Sequence, residues 1–206
     1  MASKQMELQS MIRVSMKSDT PFKNLCTNLA HIKCTTTYQV KTKKKYVGDL
    51  WEEFCCLYLL NVRNFQSAIL LKDMTEHDLE ALNLKRRDVG IDIIGHDQNG
   101  NAIAIQCKFR SRGNVSWRDI STFEALCARS GPWKQHLVMT NASKVIREGN
   151  DTEKDSVVVK VHFEKLKKHE WNILSGYGFG NTCGGSLSMD EIKELWLKRI
   201  DDTTDH

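Results

Sequence analysis

A chain of 206 residues with 40% hydrophobic and 27% charged residues and only two prolines is long enough to bury a real core, which excludes a disordered or proline-rich linker protein. One domain, or one domain with an appendage, is the expected size. The net charge of +4 hides an asymmetry, because residues 1–48 carry nine Lys or Arg against two acids while the remainder is net acidic by three.

In chain order, Asp19-Thr20-Pro21 reads as a helix start, and Phe22, Leu25, Leu29 and Ile32 recur at helical spacing, which predicts a helix over 20–33. After the run Lys41-Thr42-Lys43-Lys44-Lys45, the residues Leu50, Trp51, Phe54, Leu57, Tyr58 and Leu60 repeat with a period near 3.6, so Val47 to Val62 is expected to be a largely buried helix carrying Glu52 and Glu53. Residues 67–72 read as a short strand or buried apolar segment. Thr75 to Asp78 then reads as the cap of a helix bearing Leu79, Leu82 and Leu84.

Residues 90–95 and 102–109 are rich in β-branched side chains and flank the turn signal Asp97-Gln98-Asn99-Gly100, which predicts a β-hairpin. Ser116 caps a helix expected to run through Arg129, with Trp117, Ile120, Phe123 and Leu126 on its core face. His136 to Thr140 and Val157 to Val161 read as strands, and Phe163 to Ile173 as a helix. Ser175 to Ser186 is glycine-rich. Ser188 to Glu191 is a capping box opening a terminal amphipathic helix with Met189, Ile192, Leu195, Trp196 and Ile200 on its apolar face. Strand, hairpin, helix, strand implies an α/β layer fold.

The seven cysteines, Cys26, Cys34, Cys55, Cys56, Cys107, Cys127 and Cys183, are scattered and odd in number, and no Cys-x-x-Cys pair or zinc-finger spacing occurs, which favours a reducing compartment. The longest apolar stretch, around Phe54 to Leu60, is too short to span a bilayer, and no signal-peptide run is present, so an intracellular protein, cytoplasmic or nuclear, with no membrane partner is expected. The basic N-terminal segment, with Lys43, Lys44 and Lys45, suits a phosphate backbone, and equally suits a solvated surface stretch or a nuclear-import signal.

Metal-assisted phosphodiester hydrolysis needs hard oxygen ligands for the ion and a cation to stabilise the charge that develops on the phosphorus centre. Asp92, Gln106 and Lys108 are of those types. Gln106 and Lys108 lie two apart on one strand and leave the same face of the sheet, whereas Ile103, Ile105, Cys107 and Phe109 face the other way. Hairpin register decides whether Asp92 joins them. A two-residue loop Asn99-Gly100 pairs Asp92 with Cys107 and sends the carboxylate to the wrong face; a three-residue loop Gln98-Asn99-Gly100, with Gly100 left-handed, or a bulge of equal effect, pairs it with Gln106. The bland reading is a cross-strand ion pair on an exposed sheet face. Lys85, Arg86, Arg87, Arg110, Arg112 and Arg118 flank the motif and would ring it with positive charge as a cluster for DNA or RNA, although each alone reads as a solvated residue. Trp117 is either a base-stacking or a core side chain, with core packing preferred, and His96 is expected at the surface near the turn.

Asp88-Val89-Gly90-Ile91-Asp92, followed fourteen positions later by Gln106-Cys107-Lys108, resembles the core of the PD-(D/E)XK nuclease superfamily, and specifically its Mrr-like, restriction-endonuclease-like branch, which uses Gln in place of the usual second acid. Upstream, Gly48-Asp49-Leu50-Trp51-Glu52 matches that branch's Gly-x-x-aromatic-Glu helix, and the resemblance implies that Glu52 completes the metal site, with Glu53 as fallback if the helix phase is off by one. Residues 47 to about 166 are covered. The proline of the superfamily name is absent, and Gln106 brings no charge, so modest metal affinity is expected. Asp88 is either a third carboxylate of the site or a ligand of a nearby backbone amide.

The implied fold is α/β, a restriction-endonuclease-like core with a central mixed sheet flanked by helices and with helical additions at both ends. The implied organisation is a basic N-terminal extension with a helix over 1–46, a nuclease core over 47–173, and a glycine-rich loop and amphipathic helix over 174–206. The implied function is a Mg2+-dependent endodeoxyribonuclease, with Mn2+ able to substitute, in which Asp92, Glu52 and Gln106 meet the metal and Lys108 stabilises charge. The alternative is a non-catalytic or partner-activated nucleic-acid-binding module on the same fold, working with a helicase or recombination machinery. No Gly-x-x-x-x-Gly-Lys-Ser/Thr loop occurs, so a motor would be a separate chain. DNA is the expected partner, and the terminal helix makes a homodimer conceivable.

Overall fold

A computed structural model describes residues 2–33, 37–146 and 156–176 of the chain. Its centre is a five-stranded mixed sheet in the order β1-β2-β3-β5-β7, built from β1 (Ser67–Leu70), β2 (Ile93–His96), β3 (Ala102–Lys108), β5 (Gln135–Thr140) and β7 (Val157–Val158). β1, β2 and β3 pair antiparallel, whereas β3, β5 and β7 run parallel. Two short strands, β4 (Val115–Ser116) and β6 (Val145–Ile146), pair separately.

The period-2 alternation of the strands sorts their side chains into two apolar layers. Ile93, Ile103, Ile105, Cys107, Leu137 and Met139 face one layer. Helices α1 (Ala2–Ser15), α2 (Pro21–Ala30), α3 (Thr37–Asn61) and α7 (Lys168–Leu174) complete it, together with Phe163 of α6 (Lys160–Glu164). Ile94, Ala104 and Val138 face the other, against α4 (Glu76–Ala81) and α5 (Trp117–Cys127). The helix α5 links β3 to its parallel neighbour β5, as a crossover between parallel strands requires.

Aromatic packing fixes the first layer. Trp51 and Phe54 of α3 meet Phe163 at ring-centroid distances of 5.5 and 5.6 Å, and Phe22 of α2 stacks on Phe163 at 4.9 Å. Trp51, Phe54 and Phe163 are almost fully buried. At about 1.5–3 kcal/mol for each large apolar side chain taken from water, this cluster holds α3 firmly against the sheet and with it the adjacent Glu52.

Several expectations are corrected. The helix α1 was not anticipated, because among the described residues its fully buried apolar side chains are Leu8 and Ile12 alone, one helical turn apart, and the rest of its docking is made by Met11 and by the polar contacts Lys4–Asp49, Glu7–Tyr46 and Arg13–Ser175 between distant segments. The lysine run is helical and continuous with α3 across a kink at Thr42, and Lys43, Lys44 and Lys45 stand exposed on it. The strand expected over Val157 to Val161 ends at Val158, and the helix expected over 163–173 is divided into α6 and α7. After β1, residues Leu71–Asp73 turn as a 3-10 helix rather than extending the strand. Trp117 is 38% exposed while Ile120, Phe123 and Leu126 are buried, so the apolar face of α5 starts one turn later than its spacing suggests. His96 is buried, with its Nδ1 2.8 Å from the Ser67 hydroxyl, and burial lowers its pKa. The terminal amphipathic helix and all but the first two residues of the glycine-rich loop lie outside the described residues.

The hairpin joining β2 and β3 has the three-residue loop. The pairs His96↔Ala102 and Ile93↔Ile105 set the register, the Asp97 N–H donates to the Asn101 carbonyl at 3.1 Å, and Gly100 has φ +78°. The Asp97 carboxylate closes the turn by accepting from the Asn99 and Asn101 N–H groups, both at 2.9 Å. Gly90 has a harder constraint, combining φ +123° with space for a Cβ only 2.9 Å from the Phe123 Cα of α5. Gly100 has nothing within 4 Å of that position. Gly100→Ala is therefore expected to lose about 1 kcal/mol, the cost of a left-handed non-glycine residue, and Gly90→Ala distinctly more, because backbone cannot move aside. Urea unfolding of the two variants checks the order.

Candidate active site

The site is made where β2 leaves β3. Continued by one bonded pair, the ladder would have the Cys107 N–H donate to the Ile91 carbonyl. It donates instead to Asp92 Oδ2 at 2.7 Å, and the Asp92 N–H turns back to the Ile105 carbonyl at 2.9 Å. On the other side Asp92 stays in register with β1, its carbonyl accepting from the Leu71 N–H at 2.9 Å. Asp92 thus steps out of one ladder in the manner of a bulge. The layers record the step: Ile93 packs in the first and Ile91 in the second, whereas unbroken alternation would put both in one.

Gln106 and Lys108 project from β3 toward the face of Ala104, and Glu52 comes from α3 on the opposite face. Asp92, at the break, interacts electrostatically with both Lys108 and Glu52. Burial pushes the Asp92 carboxyl up to about 6, against the Cys107 N–H and Lys108, which pull it down. Burial also pushes Glu52 up to about 7, the Asp92 charge adds to it, and Lys72, whose ammonium lies 4.0 Å from Glu52, opposes it. Two carboxylates crowded in a poorly solvated niche are what a divalent cation relieves. Gln106 is 2% exposed, and its Oε1 has no hydrogen-bond partner among the described residues. An orphaned buried carbonyl costs about 1–3 kcal/mol, so it is an acceptor lacking the group it would coordinate or bond. The donor set, two carboxylates and an amide oxygen, fits a hard divalent cation. Among the described residues no group of three or more His, Cys, Asp or Glu side chains is arranged so that it could hold a metal ion without a further kind of ligand.

The other sequence candidates separate. Glu53 is also pushed up by burial but interacts with Lys72, Asp73, Lys4 and Asp49 rather than Asp92. Asp88 accepts from the Lys85 N–H at 2.8 Å and pairs with Arg129 at 3.0 Å, so it closes the turn before Gly90. Arg86 spends its guanidinium on Glu76 and on the carbonyls of Lys72 and Met74. Arg110 pairs with Asp119. Lys85, Arg87, Arg112 and Arg118 are exposed. Sequence reasoning missed Lys72, whose only signal was its place just after an apolar strand.

The sheet, its hairpin and this niche define a restriction-endonuclease-like nuclease fold. The chain belongs to a restriction endonuclease family of the Mrr type, whose model matches residues 61–175, more than half of its length. Asp92, Gln106 and Lys108 fall inside that segment and Glu52 precedes it. No curated protein matches the chain. A solved structure described as "ATP-dependent Type ISP restriction-modification enzyme LlaBIII bound to DNA" is similar at 19% identity and a TM-score of 0.37, covering 61% of this chain and 8% of that one. The chain therefore spans a small fraction of that protein.

Asp119 ties the start of α5 to the segment that follows β3. It accepts from the Ser116 N–H at 2.8 Å and hydroxyl at 2.7 Å at the start of α5, and it pairs with Arg110. The Ser116 N–H first, with the Ser116 hydroxyl and Arg110 behind it, holds its carboxyl down at about 2. A carboxyl depressed on folding contributes stability above its unfolded pKa, lost as pH falls through the folded value. With the side chain 27% exposed, Asp119→Asn is expected to cost about 1–2 kcal/mol at pH 7. The difference from the parent should shrink between about pH 4 and pH 2 in chemical denaturation. A difference independent of pH would remove this account of Asp119.

Proposed function

We propose that the protein is a metal-dependent endonuclease that hydrolyses phosphodiester bonds in DNA, with Mg2+ as the natural ion and Mn2+ able to replace it. The observation that carries this reading is the break at Asp92, which sets one buried carboxylate between Glu52 on one face of the sheet and Lys108 on the other, beside the unpartnered Gln106 carbonyl. A bound divalent ion supplies Lewis-acid stabilisation of the phosphoryl oxygens and lowers the pKa of a bound water.

Asp92 and Glu52 are the anionic ligands in this reading, and Gln106 Oε1 is a neutral third ligand or the acceptor that orients a water. The Lys108 charge acts on Asp92, and in this reading it offsets negative charge as the phosphorus centre becomes pentavalent. Membership of a restriction endonuclease family supports DNA as substrate.

A second reading, that cleavage needs a partner such as a helicase or recombination protein, draws on a specific feature. Lys72 lies 4.0 Å from Glu52, so a cation must compete with an ammonium already there. A substrate phosphate delivered in the right geometry would complete the site.

Purified protein with Mg2+ or Mn2+ should nick or cut at least one of duplex, single-stranded or branched DNA, and Lys108→Ala should slow that by about 100-fold or more at unchanged melting temperature. A full panel left intact, with and without candidate partners, would sink the enzymatic reading. Separately, Mn2+ should raise the melting temperature of the parent and not of Asp92→Asn, because the amide keeps an acceptor for the Cys107 N–H while removing the charge that binds the ion. An equal shift in both would dismiss Asp92 as a ligand.

A further inference from the structure

A cavity of about 340 Å³ opens beyond the carboxyl ends of the parallel strands β3 and β5, between helix α2, the segment 109–113 and the segment 141–143. Open α/β sheets bind ligands in the crevice outside the carboxyl ends of their strands, and this volume falls in the range of small-ligand sites. Its α2 wall is one helical face, Lys23, Cys26, Thr27, Ala30 and His31, set at the spacings 3, 4, 7 and 8.

The cavity is basic and firmly framed. Lys23, Arg110, Arg112 and Lys160 line it, and no Asp or Glu does. Arg110 is partly neutralised by Asp119 and Lys160 by Glu164 at 3.3 Å, but among the described residues Lys23 and Arg112 have no ion-pair partner. The rim is stapled by Asn141, which accepts from the Arg110 N–H at 2.7 Å and donates to the Arg110 carbonyl at 2.8 Å. The Lys160 N–H in turn donates to the Ala142 carbonyl at 2.9 Å. Phe109, partly exposed, supplies the aromatic part of the lining and is braced by Trp51 at 5.7 Å, the residue before Glu52, while Phe22, 2% exposed and stacked on Phe163, backs the wall from the core. Unpaired cations beside aromatic surface, in a pocket held open by backbone hydrogen bonds, match a ligand that is anionic at one end and flat and apolar at the other.

We propose that this cavity binds one nucleotide, its phosphate held by Lys23 and Arg112 and its base lodged toward Phe109. Arg110 stands two residues beyond Lys108 on the same chain segment, about 7 Å along an extended backbone, roughly the spacing of neighbouring phosphates along a strand. A nucleic-acid strand lying at the candidate active site therefore reaches the cavity with a neighbouring nucleotide. The nucleotide's source, a strand or a free mononucleotide, rests on the nuclease reading; the pocket itself does not.

The test is equilibrium binding to the full chain in chelator, so that neither metal nor cleavage enters. The probes are a fluorescent single-stranded oligonucleotide and, separately, a deoxynucleoside monophosphate. Two variants are compared with the parent: the double substitution Lys23→Ala with Arg112→Ala, which removes the charges, and Ala30→Trp, which fills the cavity at constant charge. Lys168→Ala removes one charge from an exposed position outside the cavity and serves as control.

Oligonucleotide affinity is expected to fall about tenfold in the double variant, with the salt slope reduced by about 1 as one phosphate contact is lost, to fall comparably in Ala30→Trp, and to hold in the control. Mononucleotide binding that depends on the same residues identifies a free ligand; oligonucleotide binding alone identifies the strand. Both probes unaffected by Ala30→Trp, with the variant folded by circular dichroism, overturns the pocket. The Lys108→Ala cleavage result is independent of either outcome, so failure of the pocket and failure of the nuclease reading are separable.

Discussion

A single hydrogen bond organises the site: the Cys107 N–H, which the β2–β3 ladder would give to a backbone carbonyl, is given to the Asp92 carboxylate. A buried backbone N–H must have a partner, and supplying one from a side chain allows β2 to leave β3 without leaving a donor unsatisfied. Everything chemical nearby depends on that departure. It opens the sheet where Glu52 approaches from one layer and Lys108 from the other, and it holds Asp92 in a fixed orientation between them.

The surroundings are built to make the departure stable. On the outer side β1 continues to pair with Asp92, so only one edge of the strand is released. Gly90 lets the incoming chain pass against the α5 backbone where any Cβ would collide. The loop 98–100 sets the register from the far end of the hairpin, and the aromatic cluster around Phe163 holds α3 in place. The cost is concentrated in the niche itself, in two crowded carboxyls and an unpartnered Gln106 carbonyl, the kind of local frustration that functional sites retain while the rest of a fold is consistent.

Basic residues that look alike in the sequence divide into structural and solvent-facing groups. Arg86 is spent on a carboxylate and two carbonyls, because a planar guanidinium satisfies several acceptors at once, and Arg110 is paired with Asp119. Arg112, Arg118 and the lysines at 43–45 remain exposed. A ring of positive charge around a motif therefore overstates the number of groups free to meet a phosphate, and only a subset, with Lys23 and Arg112 facing a shared cavity, keeps that freedom.

The elements whose evidence is periodic and local were legible in the chain: the helix carrying Trp51 and Phe54, the hairpin with its Gln98-Asn99-Gly100 loop, the crossover helix from Ser116, and the register that pairs Ile93 with Ile105. Turn chemistry and alternation act within a few residues, so they can be read without a fold. The break at Asp92, and which side chains meet, came only with tertiary packing. It brought Glu52 rather than Glu53 toward Asp92, set Lys72 against Glu52, tied Asp88 to a turn, turned Trp117 outward and buried His96 against Ser67. It also docked α1, whose buried apolar residues Leu8 and Ile12 are too sparse to announce a helix, with help from the Lys4–Asp49 and Glu7–Tyr46 contacts. Those outcomes depend on contacts between segments far apart in the chain, and burial and neighbouring charge exist only once the layers have closed.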